Sequence, residues 1–304
     1  MPTRRRFIGA SVSLAALASG SHANFAAAQP RTGMLTRPFP GGEAVPVIGL
    51  GTSRVFDVAP SAESLAPLDA VVQALLDAGG TLIDTAPSYG RAEPVTGALL
   101  ARDGRRHRAF VATKISSQGR AASAAQFRQS LVDLKTDRVD LLQVHNLIDL
   151  DNLLALAREL KAEGRTRYVG ITHYVESAQD EVLAVLRRER VDCVQINYSV
   201  AARGAERHLL PYCADHGIAV LINRPFVRGD LFARVKDRPL PDWAAEIGAT
   251  SWAQLMLKYV IAHPAVTVVI PATSKAVNMA DNAGAGYGPL PDAALRQRIV
   301  DALA

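Results

Sequence analysis

The sequence alternates between short apolar runs and longer segments in which apolar residues recur at helical spacing. The apolar runs, each a predicted β-strand, cover residues 47–51, 82–84, 109–113, 140–144, 168–171, 192–197, 218–222 and 266–270. The helical segments cover residues 65–78, 93–100, 124–134, 153–162, 178–187, 205–215, 250–262 and 291–304. Both faces of such apolar strands are expected to be buried, as in parallel strands that are covered by helices.

Strand–helix units repeated in this way predict an α/β fold, a closed (β/α)8 TIM barrel. The alternative is an open doubly wound sheet, but no G-x-G-x-x-G turn follows the first strand, and that turn is typical of dinucleotide-binding sheets. Residues 37–49 precede the barrel and are predicted to form a β-hairpin that turns at Gly41 and Gly42. Residues 226–243 form an irregular insert after the seventh strand, where loops of this architecture often make phosphate sites or lids.

The first 28 residues have the pattern of a twin-arginine signal peptide. Arginines at positions 4–6 precede an apolar stretch over residues 8–18, and a run of three alanines follows as a small-residue cleavage site. The apolar stretch is too short for a stable membrane anchor. We therefore expect the Tat export machinery to carry the protein to the periplasm or beyond, and residues 29–304 to be one mature domain. Cleavage after Ala23 and an uncleaved, disordered basic leader are the alternatives.

The charge and composition exclude several other classes of protein. Removal of the leader lowers the formal net charge from +5 to +2, because the leader carries three arginines and no acidic residue. No concentrated basic face is predicted, so nucleic-acid binding is not expected. The two cysteines, Cys193 and Cys213, lie in apolar segments and are predicted to be buried free thiols. We predict no metal site, and we expect a monomer because no heptad seam or spare apolar face is found.

Ionisable residues stand directly after three of the predicted strands. Asp84 follows the second strand, Lys114 the third and His145 the fourth, while Tyr89 lies in the loop that Asp84 opens. The carboxyl ends of strands and the loops after them form the active-site face of a parallel barrel. Each residue alone has a structural explanation, such as a turn cap, a surface lysine or a satisfied core histidine. Together, at one rim of a barrel, they predict a catalytic site.

The chain resembles the aldo-keto reductase family from about Thr36 to Ala285. The motifs that carry the resemblance are residues 83–90 (Ile-Asp-Thr-Ala-Pro-Ser-Tyr-Gly), 113–114, 143–145, 169–172, 195–199, 270–274 and 281–282. The resemblance implies a (β/α)8 barrel, a nicotinamide cofactor extended across its top and a catalytic tetrad. The residues that match the tetrad are Asp84, Tyr89, Lys114 and His145.

The chemistry of the tetrad follows from what a carbonyl reduction needs. Hydride addition creates an alkoxide, which requires a proton donor, and a free tyrosine with a pKa of about 10 is a weak donor at neutral pH. We expect the ammonium of Lys114 to lower the pKa of Tyr89, and Asp84 to hold Lys114 charged and oriented. We expect His145 to donate a hydrogen bond to the carbonyl oxygen.

The resemblance also implies contacts with the nicotinamide, where the sequence departs from the family pattern. Gln195 matches the glutamine that binds the carboxamide, while Thr172 and His173 stand where Ser-Asn is usual. Asn223 occupies the place of the aromatic residue on which the nicotinamide often stacks. Arg224 is then expected near the ring or the pyrophosphate.

Further cofactor contacts are expected from the insert and from the adenosine end. The candidates are Phe226, Arg228, Thr273, Ser274, Lys275, Asp281 and Asn282. Met279 stands where many family members carry an arginine that pairs the 2′-phosphate, so Lys275 is expected to supply the positive charge instead. NADPH is the expected cofactor and NADH is the alternative.

These observations predict an exported oxidoreductase that reduces an aldehyde or ketone with NADPH, or runs the reverse reaction. Two other functions are compatible with a barrel of this kind. One is a sensor or partner subunit that holds the nucleotide without turnover, and the other is a lyase that uses Lys114 as a Schiff-base nucleophile. The complete tetrad favours the reductase over both.

Overall fold

The described part of the chain, residues 33–304 of a computed structural model, begins with an antiparallel hairpin. Strand β1 (Thr36–Pro38) pairs with β2 (Ala44–Pro46). Gly41 and Gly42 turn the chain at φ values of +87° and +88°, which glycine adopts without steric cost. The predicted hairpin is thus confirmed, whereas the predicted leader, residues 1–28, lies outside the described residues.

Eight parallel strands form the barrel in the order in which they occur in the chain. They are β3 (Leu50–Gly51), β4 (Leu82–Asp84), β5 (Phe110–Ile115), β6 (Val139–His145), β7 (Thr166–His173), β8 (Cys193–Asn197), β9 (Ala219–Asn223) and β10 (Val268–Val269). Parallel bridges from Ile48 to Val269 and from Gly51 to Ala272 join the first strand to the last. The fold is therefore the predicted (β/α)8 barrel and not an open sheet.

The helices follow the strands around the outside of the barrel. They are α1 (Ala62–Asp77), α2 (Ala92–Leu100), α3 (Arg120–Asp133), α4 (Leu150–Ala162), α5 (Gln179–Arg188), α6 (Leu209–Asp215), α7 (Asp230–Arg234), α8 (Trp252–Ile261), α9 (Ala276–Gly284) and α10 (Ala293–Leu303). Among residues 33–304, no helix is both long enough and apolar enough to cross a membrane. Helices α7 and α9 were not predicted, and the segment predicted as one helix over 205–215 is a short 3-10 turn followed by α6.

Strand alternation decides which side chains enter the barrel. The apolar filling includes Leu82, Phe110, Leu141, Cys193 and Leu221. Two residues further along the same strands, on the same face, come Asp84, Ala112, Gln143, Gln195 and Asn223. One further step of two reaches Lys114 on β5 and His145 on β6. The polar residues therefore form the layer above the apolar filling, at the carboxyl end of the barrel.

The hairpin closes the opposite end of the barrel. Phe39, which follows β1, packs its ring 5.2 Å from that of Phe110 and 4.8 Å from that of Tyr168, centroid to centroid. A second apolar layer lies between the strands and the helices, and Cys213 belongs to it. Cys193 and Cys213 are both buried and free, as predicted. Access to the barrel interior is therefore from the carboxyl end.

Candidate active site

An ion pair is buried at the top of the barrel. Lys114 Nζ lies 2.7 Å from Asp84 Oδ2, and the side chains are 0% and 3% exposed. The ammonium donates a second hydrogen bond, of 2.8 Å, to the carbonyl oxygen of Thr85. Strand pairing explains the contact, because Asp84 on β4 is in register with Ala112 on β5, two residues before Lys114. A lysine without water around it must be held by such partners.

A chain of side-chain amides continues from Asp84 across the barrel. The other carboxylate oxygen of Asp84, Oδ1, accepts hydrogen bonds of 3.1 Å from Gln143 and 2.8 Å from Gln195. Gln195 in turn accepts from Asn223 Nδ2 at 3.3 Å and lies 3.5 Å from the hydroxyl of Thr172. Side chains on β6, β7, β8 and β9 are thus connected to the Asp84 carboxylate, either directly or through Gln195.

The phenol of Tyr89 lies beside this ion pair. Lys114 Nζ is 4.9 Å from the centroid of the Tyr89 ring.

The loop that carries Tyr89 is held by Asp57, whose carboxylate accepts hydrogen bonds of 3.1 Å from both the backbone N and the Nε of Arg91. Gly90 has a φ of +63°, and a Cβ at this position would lie 2.4 Å from the carboxylate carbon of Asp57. A side chain at position 90 would therefore have to displace the Asp57 carboxylate and adopt a left-handed conformation.

The protonation states of Lys114 and Tyr89 follow from burial and charge. Burial alone would lower the pKa of Lys114, but Asp84 and Tyr89 outweigh it and raise the pKa above its usual value. Burial raises the pKa of Tyr89 by more than the Lys114 ammonium lowers it. The expected effect of Lys114, which is to lower the pKa of Tyr89, is present, but desolvation is the larger effect and leaves the pKa above its ordinary value. Tyr89 is a neutral phenol next to a cation.

His145 is the third group at the mouth. Its ring centroid lies 5.9 Å from that of Tyr89, with the rings nearly perpendicular. Burial, together with the charges of Lys114 and His173, lowers the pKa of His145 to about 3, so the imidazole is neutral at physiological pH. Its Nδ1 lies 3.3 Å from the hydroxyl oxygen of Ser88. A neutral imidazole in this position can donate one hydrogen bond.

The residues predicted to hold the nicotinamide lie at the ends of β7, β8 and β9. Thr172 and Gln195 are each 2% exposed, and Oδ1 of Asn223 is buried without a hydrogen-bond partner among the described residues. His173 is partly buried, and its Nδ1 accepts a hydrogen bond of 3.2 Å from the backbone N of Val175. Thr172, Gln195 and Asn223 are thus brought together, with one oxygen atom left to accept a hydrogen bond from a ligand.

The loop after β9 has an unusual backbone. Arg224, Val227 and Arg228 have φ values of +52°, +50° and +61°, a region that non-glycine residues enter at a cost and that is concentrated at functional sites. The guanidinium of Arg224 lies 3.9 Å from the centroid of the Tyr174 ring. Phe226 packs its ring 4.9 Å from that of Phe232 in α7, so its side chain supports the loop.

At the predicted adenosine end, Ser274 and Lys275 are exposed just before α9. The hydroxyl of Thr273 accepts a hydrogen bond of 3.1 Å from the backbone N of Lys275. Met279 stands where many family members carry an arginine that pairs the 2′-phosphate, but this position does not lie at the surface. Met279 is fully buried in the core, and the neighbouring side chain that faces solvent is Asn278.

Of the two remaining candidates on α9, Asp281 is held by hydrogen bonds within the protein and Asn282 is buried. The carboxylate of Asp281 accepts hydrogen bonds of 2.7 Å from both Ser251 Oγ and Gln254 Nε2, and Asn282 is 4% exposed. In this structure Asp281 joins α9 to the start of α8.

Three polar residues near the site were not singled out from the sequence. Gln143 and Ser88 lie inside the quoted motifs, and the period of two along β6 would have placed Gln143 beside Asp84. Glu93 is 2% exposed in α2, where it accepts hydrogen bonds from Thr113 Oγ1 at 2.5 Å and Ser130 Oγ at 3.0 Å. Burial raises the pKa of Glu93 to about 7. No sequence pattern indicated that this helix would bury an acid.

The comparisons with known proteins match nearly the whole barrel. A profile described as "Aldo/keto reductase family" matches residues 47–298. Aldo-keto reductase YhdN of Bacillus subtilis is 30% identical over 181 residues, 55% of this chain and 54% of that protein. Methylglyoxal reductase DkgB of Escherichia coli O157:H7 is 27% identical over 250 residues, 79% of this chain and 86% of that protein. A crystal structure of an aldo-keto reductase from Klebsiella pneumoniae in complex with NADPH is 28% identical, with a TM-score of 0.72 and coverage of 88% of this chain and 94% of that one.

Proposed function

The chain belongs to the aldo/keto reductase family of NAD(P)H-dependent oxidoreductases, and we propose that it reduces an aldehyde or ketone with NADPH, using Tyr89 as the proton donor. The observation that carries the proposal is the fully buried Lys114–Asp84 pair, with its ammonium 4.9 Å from the centre of the Tyr89 ring. Burying such a pair costs free energy unless its partners compensate, and here the carbonyl of Thr85 and the amides of Gln143 and Gln195 do so, which keeps a charged lysine beside the phenol.

The polar groups at the barrel mouth fit a nicotinamide. A primary carboxamide offers two N–H donors and one acceptor oxygen, and Asn223 Oδ1 is a buried acceptor without a partner among the described residues. Gln195 and Thr172 supply further polar atoms beside it. When bound there, the reduced nicotinamide supplies a hydride to the carbonyl carbon of the substrate.

Tyr89 then delivers the proton that the developing alkoxide needs. The phenol is neutral before the reaction, because its pKa is raised, so the proton is present to be given. As it leaves, negative charge appears on the phenol oxygen next to the Lys114 ammonium. That attraction exists only once charge has developed, so it lowers the barrier without tightening ground-state binding. Asp84 keeps Lys114 charged and in place.

His145 positions and polarises the carbonyl group. With its pKa near 3 the ring is neutral, and a hydroxyl donating to Nδ1 leaves the imidazole proton on Nε2. Nε2 then donates to the carbonyl oxygen, as an oxyanion-type donor does. A lyase reaction through Lys114 is disfavoured, since an amine whose pKa is raised stays an ammonium and is not a nucleophile.

For the adenosine end, we propose that Ser274 and Lys275 hold the 2′-phosphate of NADPH. Both are exposed at the start of α9, where an ammonium and a hydroxyl can reach a phosphate. Thr273 shapes this turn through its bond to Lys275. Asp281 and Asn282 contribute to the adenine site only if the hydrogen bonds of Asp281 to Ser251 and Gln254 are shared or exchanged. Arg228 is proposed to face the pyrophosphate.

We also propose that the protein is exported by the twin-arginine route and acts in the periplasm or outside the cell. The arginines at 4–6, the apolar stretch at 8–18 and the alanines at 26–28 support this proposal. Mass spectrometry of the protein from periplasmic and cytoplasmic fractions tests it: a mature amino terminus near Gln29 in the periplasm is expected, and intact Met1 in the cytoplasm would contradict it.

The reductase proposal is tested by fluorescence titration of the mature protein with NADPH, followed by stopped-flow oxidation with a panel of small aldehydes. We expect tight binding, and hydride transfer that is lost in Tyr89→Phe while NADPH affinity is retained. Tyr212→Phe is the matched control, because its hydroxyl donates to the carbonyl of Leu186, away from the barrel mouth. Binding without transfer to any carbonyl would indicate the nucleotide-holding sensor instead.

A further inference from the structure

The mouth of the barrel carries arginines that lack acidic partners. Arg224 directly follows β9, and its guanidinium lies over the face of Tyr174 without a hydrogen bond or ion pair to any residue in 33–304. Arg54 and Arg228, which are exposed, likewise have no carboxylate partner in that range. Of the 21 other arginines in residues 33–304, ten make ion pairs, for example Arg91 with Asp57, Arg105 with Asp69 and Arg296 with Glu206, so it is the position of these three at the barrel mouth that sets them apart.

Arg224, Arg54 and Arg228 all lie in loops that follow barrel strands at the carboxyl end. Burial, followed by the like charges of Arg228 and Arg54, lowers the pKa of Arg224. No carboxylate within residues 33–304 makes an ion pair with any of the three, so their charges raise the positive potential at the barrel mouth. Clustered charges of one sign in a cleft attract ligands of the opposite sign. The cluster therefore favours an anionic ligand.

Of the three arginines, Arg224 is the one that directly follows a residue of the amide network, Asn223. Its charge acts on the phenol of Tyr89, and Asn223 before it is bonded to Gln195. Its stacking partner Tyr174 adjoins His173, with the two rings 5.9 Å apart, and the charge of His173 acts on His145. Stacking on an aromatic face holds a guanidinium while leaving the N–H groups at its edge available for hydrogen bonds.

The backbone gives a second, independent indication. Arg224, Val227 and Arg228 all have positive φ, and for a β-branched residue such as Val227 this is a true outlier. Strained conformations of this kind persist only where the surroundings over-determine them, and they cluster at ligand-binding segments. Seven other non-glycine residues among residues 33–304 also have positive φ, but three of the ten fall within positions 224–228, and Val227 is the β-branched one among them.

We propose that Arg224 is a specificity-determining residue that binds a carboxylate or phosphate group on the carbonyl substrate, so that the substrate is an anionic aldehyde or ketone. The inference rests on the proposed reductase function and adds the substrate class to it. A planar guanidinium can bind either group through two parallel hydrogen bonds. The other anion that could reach this mouth is the pyrophosphate of the cofactor, and the experiment separates the two.

The experiment compares aldehydes that differ only in charge. The substrates are 4-oxobutanoate and 4-carboxybenzaldehyde, each against its methyl ester, so that two distances between carboxylate and carbonyl are covered. For one of the pairs we expect the wild-type enzyme to favour the acid, and Arg224→Gln to raise KM for that acid about 10- to 100-fold, the usual range for charged hydrogen bonds. The KM for the ester and the Kd for NADPH should change far less than the KM for the acid.

Two further variants complete the test. Arg224→Lys keeps the positive charge but loses the planar guanidinium that makes two parallel hydrogen bonds. This variant should retain part of the preference for the acid. Arg187→Gln removes the same charge from the last turn of α5 and should leave the preference unchanged. If Arg224→Gln does not fold, the KM of the wild-type enzyme for the acid should still rise with ionic strength while that for the ester does not.

Three results would overturn the inference. They are equal turnover of acid and ester by the wild-type enzyme, equal losses for both in Arg224→Gln, or a loss confined to NADPH affinity, which would assign the guanidinium to the cofactor. Failure of the proposed function looks different: wild-type enzyme would then oxidise NADPH with neither the acids nor the esters, and the inference would fall with it.

Discussion

The hydroxyl oxygen of Ser88 lies 3.3 Å from Nδ1 of His145 and is the side-chain partner of that nitrogen among residues 33–304. Because His145 is neutral, its single ring proton must lie on one of its two nitrogens. We propose that Ser88 donates this hydrogen bond to Nδ1, which leaves the ring proton on Nε2. Ser88 would then act as a positioning residue for the group that polarises the substrate.

We expect Ser88→Ala to lower kcat about fivefold, since a neutral hydrogen bond contributes about 1 kcal/mol. The Kd for NADPH should not change, because Ser88 is not placed among the cofactor residues. Ser88→Thr keeps the hydroxyl and should restore most of the rate. Steady-state kinetics on all three proteins measure this, and an unchanged kcat in Ser88→Ala would show that the hydroxyl has no such role.

Removal of Lys114 alone should be costly to stability. Lys114→Met leaves the Asp84 carboxylate buried beside an apolar side chain, and we expect a loss of about 3–5 kcal/mol in the free energy of unfolding. The double variant Lys114→Met/Asp84→Asn should recover most of that loss but no turnover. Urea unfolding measures the first effect and NADPH oxidation the second. A double variant as unstable as the single one would show that the charge of Asp84 is not the cause.

The rate of carbonyl reduction should be nearly independent of pH across the neutral range. The pKa of Tyr89 is raised above its ordinary value of 10.0, so the proton donor stays protonated until strongly basic pH. The pKa of His145 is about 3, so the imidazole stays neutral until strongly acidic pH. We expect a level kcat between about pH 5 and 9. A transition near pH 6.5 that disappears in His145→Gln would contradict the buried, neutral state of His145.

Glu93 should make stability, rather than the rate, depend on pH. Its pKa in the folded protein is about 7, above the ordinary 4.5, so its stabilising effect is fully present below about pH 4.5 and is lost as pH rises through 7. Between pH 5 and 8 the wild-type protein should lose on the order of 2 kcal/mol through this group. The glutamine in Glu93→Gln has no ionisable group. The Tm of this variant should therefore rise relative to the Tm of the wild type as the pH increases from 5 to 8. A constant difference in Tm from pH 5 to 8 would count against the assignment.

The choice of cofactor should depend on Lys275. Its ammonium is exposed next to Ser274 at the start of α9. We expect Lys275→Ala to raise the Kd for NADPH about tenfold, through loss of one charge-assisted contact, and to leave the Kd for NADH unchanged. Asn278→Ala, one turn away and uncharged, serves as the control. Equal losses for both nucleotides would place Lys275 away from the 2′-phosphate.

The ends of the strands could be predicted because buried strands appear in the sequence as apolar runs, and the polar residue after each run marks the carboxyl end of the strand. The apolar runs before Asp84, Lys114 and His145 gave the strand assignment. Parallel barrels bring strand carboxyl ends to one rim, so the proximity of these residues followed from topology. The pairing of Lys114 with Asp84, at 2.7 Å, follows from the same register.

The features that could not be predicted from the sequence are decided by opposing effects of similar size. The direction of the pKa shift of Tyr89 requires knowing that its burial outweighs the nearby Lys114 charge, and no motif reports burial quantitatively. Met279 and Asn278 are adjacent in the sequence, and only the phase of α9 decides which of them is buried. Helix α9, with its Asn, Asp and Gly residues, has a weak propensity of its own and is held by its packing against α1 and α8.

The hydrogen bonds of Asp84 have a consequence for how catalytic competence arises during folding. Its carboxylate lies on β4 and takes bonds from Lys114 on β5, Gln143 on β6 and Gln195 on β8. These strands belong to both halves of the chain, so a fragment that ends after β6 would present the lysine and its acid without the amide from the other half. Enzymatic activity during refolding therefore reports the assembly of the whole barrel, and complementation between separately expressed half-barrels would have to rebuild this carboxylate cluster before any turnover could be detected.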